Sequence, residues 1–101
     1  PPPVLTWLEP PPAAVDNCRS TNPFSFLVGV SDPDGYASPT ASFGGTSITL
    51  GERAADEWYG QFDPSLMAVG PYTVVVTATD SLGGVGSLAA AVLVEECLIV
   101  P

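Results

Sequence analysis

The stretch Gly70-Pro71-Tyr72-Thr73-Val74-Val75-Val76-Thr77-Ala78-Thr79-Asp80, with Ser81-Leu82-Gly83-Gly84 behind it and then residues 85–94, decides the fold. Tyr72, Val74, Val76 and Ala78 fall on one face of an extended chain; Thr73, Val75, Thr77 and Thr79 fall on the other. Period two with β-branched residues on both faces is the pattern of a strand. Asp80 to Gly84 is turn chemistry. The alanines at 89–91 suit a helix in isolation. After a Gly-rich turn and beside a Thr/Val strand they read instead as a hairpin partner, with Leu88, Ala90, Val92 and Val94 turned inward.

The same alternation recurs upstream. Phe24, Phe26, Val28 and Val30 interleave with Ser25, Leu27, Gly29 and Ser31, giving a strand with its aromatic face inward that ends at Asp32-Pro33-Asp34-Gly35. Residues 41–43 and 47–50 are short strands around Gly44-Gly45, and residues 58–62 form another before Asp63-Pro64-Ser65. Prolines at 1–3 and 10–12 bracket Val4 to Glu9, an extended segment leading into an edge strand. No amphipathic stretch is long enough for a sustained helix; the best candidate, residues 51–57, is at most one or two turns. About seven short strands at roughly 8–12-residue spacing predict an all-β antiparallel sandwich. The chain divides into a Pro-rich N-terminal segment or linker with an edge strand (1–12), the sandwich (13–97) and an apolar C-terminal tail (98–101).

Composition narrows the chemistry. The 101 residues suffice for one domain, and 46% hydrophobic content supplies its core. Eleven acids against two arginines, with no lysine and no histidine, give a net charge of −9. No basic patch exists to neutralise nucleic-acid phosphates or to meet an anionic membrane surface. No apolar run is long enough for a membrane span. Without histidine the commonest general base and metal ligand are missing, no serine has a base to activate it, and no glycine-rich phosphate loop ends in lysine. These features predict a chain that is not an enzyme.

Four segments resemble bacterial immunoglobulin-like modules, near the cadherin-like and PKD-type domains of surface proteins. They are residues 28–35 (Val-Gly-Val-Ser-Asp-Pro-Asp-Gly), residues 58–62 followed nine residues on by Pro71, residues 70–80, and Ser81-Leu82-Gly83-Gly84 leading into a closing strand. Together they cover roughly residues 24–94. The resemblance implies an immunoglobulin-like antiparallel β-sandwich that works as a non-catalytic spacer, stalk or adhesive module of a secreted or cell-surface protein.

In such a sandwich the second strand starts, and the last strand ends, at the same pole. Cys18 precedes the one and Cys97 follows the other, so a Cys18–Cys97 disulfide is expected, and with it an oxidising, extracellular setting. Two separate thiols are the alternative. The opposite pole collects Asp32, Asp34 and Asp80, with Glu52, Asp56 and Glu57 nearby. Oxygen ligands without histidine suit Ca²⁺, and related modules hold calcium at such poles, so a site on Asp32, Asp34 and Asp80 is one expectation; metal-free turn chemistry is the other. No further cofactor is expected.

The chain ends are apolar. Trp7 in the N-terminal segment and Leu98, Ile99 and Val100 in the tail are candidate assembly contacts, through which copies or adjacent domains join by β-augmentation into a filament or array. Equally, both ends fold back as edge strands of their own sandwich. Trp7, Tyr36, Trp58 and Tyr59 are candidates for a sugar-stacking platform, against which Trp58 shares a face with Phe62. Tyr72 stands where a tyrosine corner would tie down a loop. Thr73, Thr77, Thr79, Ser81 and Ser87 offer hydroxyls for O-linked sugars, though threonine is an ordinary strand residue. The expected role is spacing, adhesion or array assembly with protein partners. The alternative is a carbohydrate- or protein-binding accessory domain of a secreted enzyme.

Overall fold

The computed structural model describes residues 2–17, 23–33 and 35–96. Among them nine strands run in chain order: β1 (Val4–Glu9), β2 (Ala14–Asp16), β3 (Phe24–Ser31), β4 (Thr40–Phe43), β5 (Thr46–Ile48), β6 (Leu50–Ala54), β7 (Glu57–Phe62), β8 (Gly70–Thr79) and β9 (Val85–Glu95). A short 3₁₀ turn, Pro64–Leu66, follows β7, and the Asp63 side chain accepts the Ser65 N–H at its start. The strands form two sheets, a four-stranded one ordered β1-β3-β7-β6 and a five-stranded one ordered β2-β9-β8-β4-β5. This is an immunoglobulin-like β-sandwich.

The two strands beyond the expected seven have physical causes. Pro10 to Pro12 cannot supply ladder N–H groups, so they release the chain from β3 and carry it across to the other sheet. There it resumes as β2, parallel to β9, with Ala14 opposite Leu93 and Asp16 opposite Glu95. Residues 51–57 form no helix. They continue β6, turn at Ala55-Asp56 and return as β7, with Glu52 paired to Trp58. Asp56 takes the left-handed backbone conformation that this tight turn demands (φ 61°). Within the N-terminal segment, Val4 to Glu9 pair antiparallel with β3 as the edge of their own sheet.

Alternation decides what is buried. Phe26 and Val28 of β3, Phe43 of β4, Val74 and Val76 of β8, and Val92 and Val94 of β9 meet between the sheets and are almost fully buried. Fully burying each of these side chains is worth roughly 1.5–3 kcal/mol. Trp7 points into this core, its ring edge-on to Phe26 at 5.6 Å. Phe43 holds Phe24, Phe62 and Tyr72 around it at centroid distances of 5.1 to 5.3 Å. Leu27 departs from the pattern: it points outward yet is only 5% exposed, between Glu9 and Tyr59 in the register.

Gly60 marks the tightest approach within the core. A Cβ there would lie 2.7 Å from Cε1 of Phe26 and 2.8 Å from Cδ2 of Leu50. Phe26 cannot easily retreat, because Trp7 closes its other side. Gly60→Ala should therefore cost about 1–3 kcal/mol by overpacking. Thermal melting of the variant should show a drop of several degrees, and an unchanged midpoint would contradict the packing described.

Candidate functional site

The two ends of the sandwich differ in chemistry. One pole gathers the end of β3, the turn between β6 and β7, and the loop between β8 and β9. Tyr36 bridges to Asp80, the Ala37 N–H donates to the Thr79 carbonyl at 2.9 Å, and the Ser81 N–H donates to the Gly35 carbonyl at 3.2 Å. The acids Asp32 and Asp80 thus share one pole, with Asp56 and Glu57 beside them. The other pole holds Asn17, Asp63 and Glu96. There the Asn17 N–H donates to the Glu95 carbonyl at 3.2 Å, and the Asn17 amide donates to the Met67 carbonyl at 3.0 Å.

Asp80 is 6% exposed, and its surroundings show what its carboxylate does. One oxygen, Oδ1, accepts the Leu82 N–H at 2.9 Å and the Gly84 N–H at 2.6 Å. The backbone closes the same loop, since Asp80 N–H donates to the Gly84 carbonyl at 2.8 Å. The loop is thereby held rigid with Leu82 at its tip, 75% exposed. Asp34 of the expected calcium set lies outside the described residues. Among the described residues no three Asp, Glu, Cys or His side chains group closely enough to hold a metal ion.

Tyr36, Asp56 and Trp58 form a second network at this pole. The Trp58 indole N–H donates to the Tyr36 hydroxyl at 3.0 Å, and that hydroxyl donates to Asp56 Oδ1 at 2.8 Å. The rings of Tyr36 and Trp58 meet edge-on at 6.5 Å. The network fixes the turn that places Asp56, whose carbonyl accepts the Val30 N–H at 3.0 Å.

The sugar-stacking platform is not assembled. Trp7 lies against Phe26 in the core, Trp58 packs against the core through its inward face, and Tyr59 points to the opposite side of β7. The Trp7 ring is turned inward from an edge strand that is paired to its own sheet. Cys18, Cys97, Leu98, Ile99 and Val100 lie outside the described residues. The tyrosine corner is present: the Tyr72 hydroxyl donates to the Ala68 carbonyl at 2.7 Å.

The two-sheet topology and the tyrosine corner are those of an immunoglobulin-like or fibronectin type III-like β-sandwich. Solved structures agree. The chain is similar to the endo-β-1,4-mannanase of Thermotoga petrophila (TM-score 0.75, 8% identity, covering 93% of this chain and 20% of that one). It is similar to the Ig1-2 module of the Drosophila receptor protein tyrosine phosphatase DLAR (TM-score 0.71, 16% identity, 99% and 52%). It is also similar to the fibronectin(III)-like modules of Clostridium thermocellum CbhA (TM-score 0.66, 16% identity, 94% and 47%). No protein-family model and no curated protein matches the sequence. The chain therefore spans from a fifth to about half of the solved chains it resembles.

Burial pushes the Tyr36 phenol above its ordinary pKa of about 10; the Asp56 carboxylate acts the same way, and the Trp58 N–H pulls against both. A pKa raised on folding means that the tyrosine's contribution is complete below pH 10 and is lost as pH climbs through the folded value. The melting temperature should fall more steeply above pH 10 in the native chain than in Tyr36→Phe. At neutral pH the variant should lose at most about 1 kcal/mol. Parallel alkaline limbs in the two chains would disprove the linkage.

Proposed function

We propose that this chain is a non-catalytic, extracellular spacing module that sits in line with neighbouring domains of a secreted or cell-surface protein. The observation that carries this reading is where the described chain comes in and goes out. Pro2 packs against Gly84 at the Asp80 pole, while β9 delivers Glu95 and Glu96 to the opposite pole. The molecule measures 55 Å along its long axis and 23 × 17 Å across it. A domain with its two connections at opposite ends of a rod adds its full length to any chain that contains it. The resemblance to portions of longer chains supports the same reading, whether the neighbours are further modules or a catalytic domain that this one accompanies.

The extracellular setting rests on the cysteines. In sequence, Cys18 and Cys97 each stand two residues beyond Asp16 and Glu95. A disulfide there would close a loop of about 80 residues and stabilise the sandwich by roughly 4–5 kcal/mol in the chain-entropy treatment. Such a bond belongs to an oxidising compartment. The narrower kinship with cadherin-like and PKD-type modules rests on the sequence motifs alone.

Two measurements test the proposal. Intact mass after alkylation without reductant should show neither cysteine modified, and both modified once reductant is added; two thiols labelled at the outset would remove the basis for the extracellular assignment. In the polypeptide that carries it, excising the module should shorten the maximum dimension seen by small-angle scattering by close to 55 Å. Any activity of neighbouring domains should persist. An unchanged dimension, or turnover lost with the module, would overturn the spacer role.

A further inference from the structure

Over most of its length the outer face of the five-stranded sheet carries no charge. On β9 the outward positions Val85, Ser87, Ala89, Ala91 and Leu93 are all exposed and uncharged. Beside them on β8 stand Thr73, Val75, Thr77 and Thr79, and β4 continues the row with Thr40 and Ser42. The acids Asp16 and Glu95 stand opposite each other at one end only. Elsewhere acids dominate: Asp32, Asp56 and Glu57 at one pole, Asp63 and Glu96 at the other. The outer face of the four-stranded sheet is uneven, with a groove of about 350 Å³ bordered by Val4, Thr6, Leu8 and Glu57.

We propose that a second copy of this chain docks on the uncharged face, sheet against sheet, about a two-fold axis near Ala89. Charge selects both the face and the occupant. Two copies at −9 each repel, and end-to-end contact would set acids against acids at both poles. Face-to-face contact across β8 and β9 leaves those acids at the rim, in solvent. A basic partner would instead be drawn to the poles, since this face gives it nothing to pair with. Edge-to-edge pairing is also poorly served. The outer strands β1 and β6 each break register, between Trp7 and Glu9 and between Glu52 and Ala54, and the outer strands β2 and β5 have three residues each.

The face has the shape for it. Ten consecutive pairs join β8 to β9 without a bulge, so the ribbon is even along its length. Alanines at 89 and 91 allow a partner backbone to approach closely. The β8–β9 ladder is about 33 Å long, flanked by β2, β4 and β5 of three or four residues each. A copy laid across it covers on the order of 500 Å² per partner, in the range of weak, transient contacts. The dimer is accordingly weak and transient, and it is isologous.

Sedimentation equilibrium of the whole chain from micromolar to millimolar concentration, at 50 and 500 mM NaCl, tests this. The expected result is a monomer–dimer equilibrium that tightens several-fold at the higher salt, as the net repulsion is screened. Ala89→Asp and Ala89→Lys should each weaken it roughly tenfold or more, and mixing the two variants should restore association. Thr6→Asp, on the other sheet, should leave it unchanged. Melting curves confirm that each variant is folded. A monomer under all conditions, equal sensitivity to Thr6→Asp, or a mixture no tighter than either variant alone would overturn the proposal.

Discussion

The register between β8 and β9 governs the rest of the molecule. Val74, Val76 and Ala78 are buried because Tyr72 faces Val92, Val74 faces Ala90 and Val76 faces Leu88. A slip of one residue would send Thr73, Val75 and Thr77 inward and turn three buried apolar side chains out to water. Both ends of the register are held. Near the start of β8 the Tyr72 hydroxyl is fixed to the Ala68 carbonyl, and beyond the end of β8 the Asp80 carboxylate gathers the backbone of the connecting loop. The other strands take their places from this ribbon, β4 on one side and β2 on the other.

Charge is distributed as unevenly as hydrophobicity. Most of the acids lie at strand ends or in the connections between strands, and most of the broad surface of one sheet is left to threonine, serine, alanine and valine. A chain with two arginines cannot build many surface ion pairs, so its tight loops are organised by hydrogen bonds to single carboxylates and hydroxyls. Asp80, Asp63 and Tyr36 each serve in this way.

Much of this was legible from residue order. The inward sets of β3, β8 and β9, the Gly44-Gly45 hairpin and the corner at Tyr72 follow from period-two alternation and turn chemistry, which are local properties. Asp32 and Asp80 do lie at one pole. What escaped is non-local. Ala14-Val15-Asp16 is too short to alternate, and it is a strand only because β9 offers it an edge. Leu50 to Ala54 carries a glycine and two charges, and it is extended only because β7 lies beside it. Trp7 looked free because nothing in its own segment reveals Phe26, 19 residues on, as its partner.

The pairing of β2 with β9 has a kinetic consequence. Ala14 and Leu93 meet across 79 residues of sequence, so a strand made near the start of the chain waits for the last strand before its edge is covered. Long-range parallel contacts of this kind form slowly, because loop closure must come first. A nascent chain would stay unfinished until its final strand emerged.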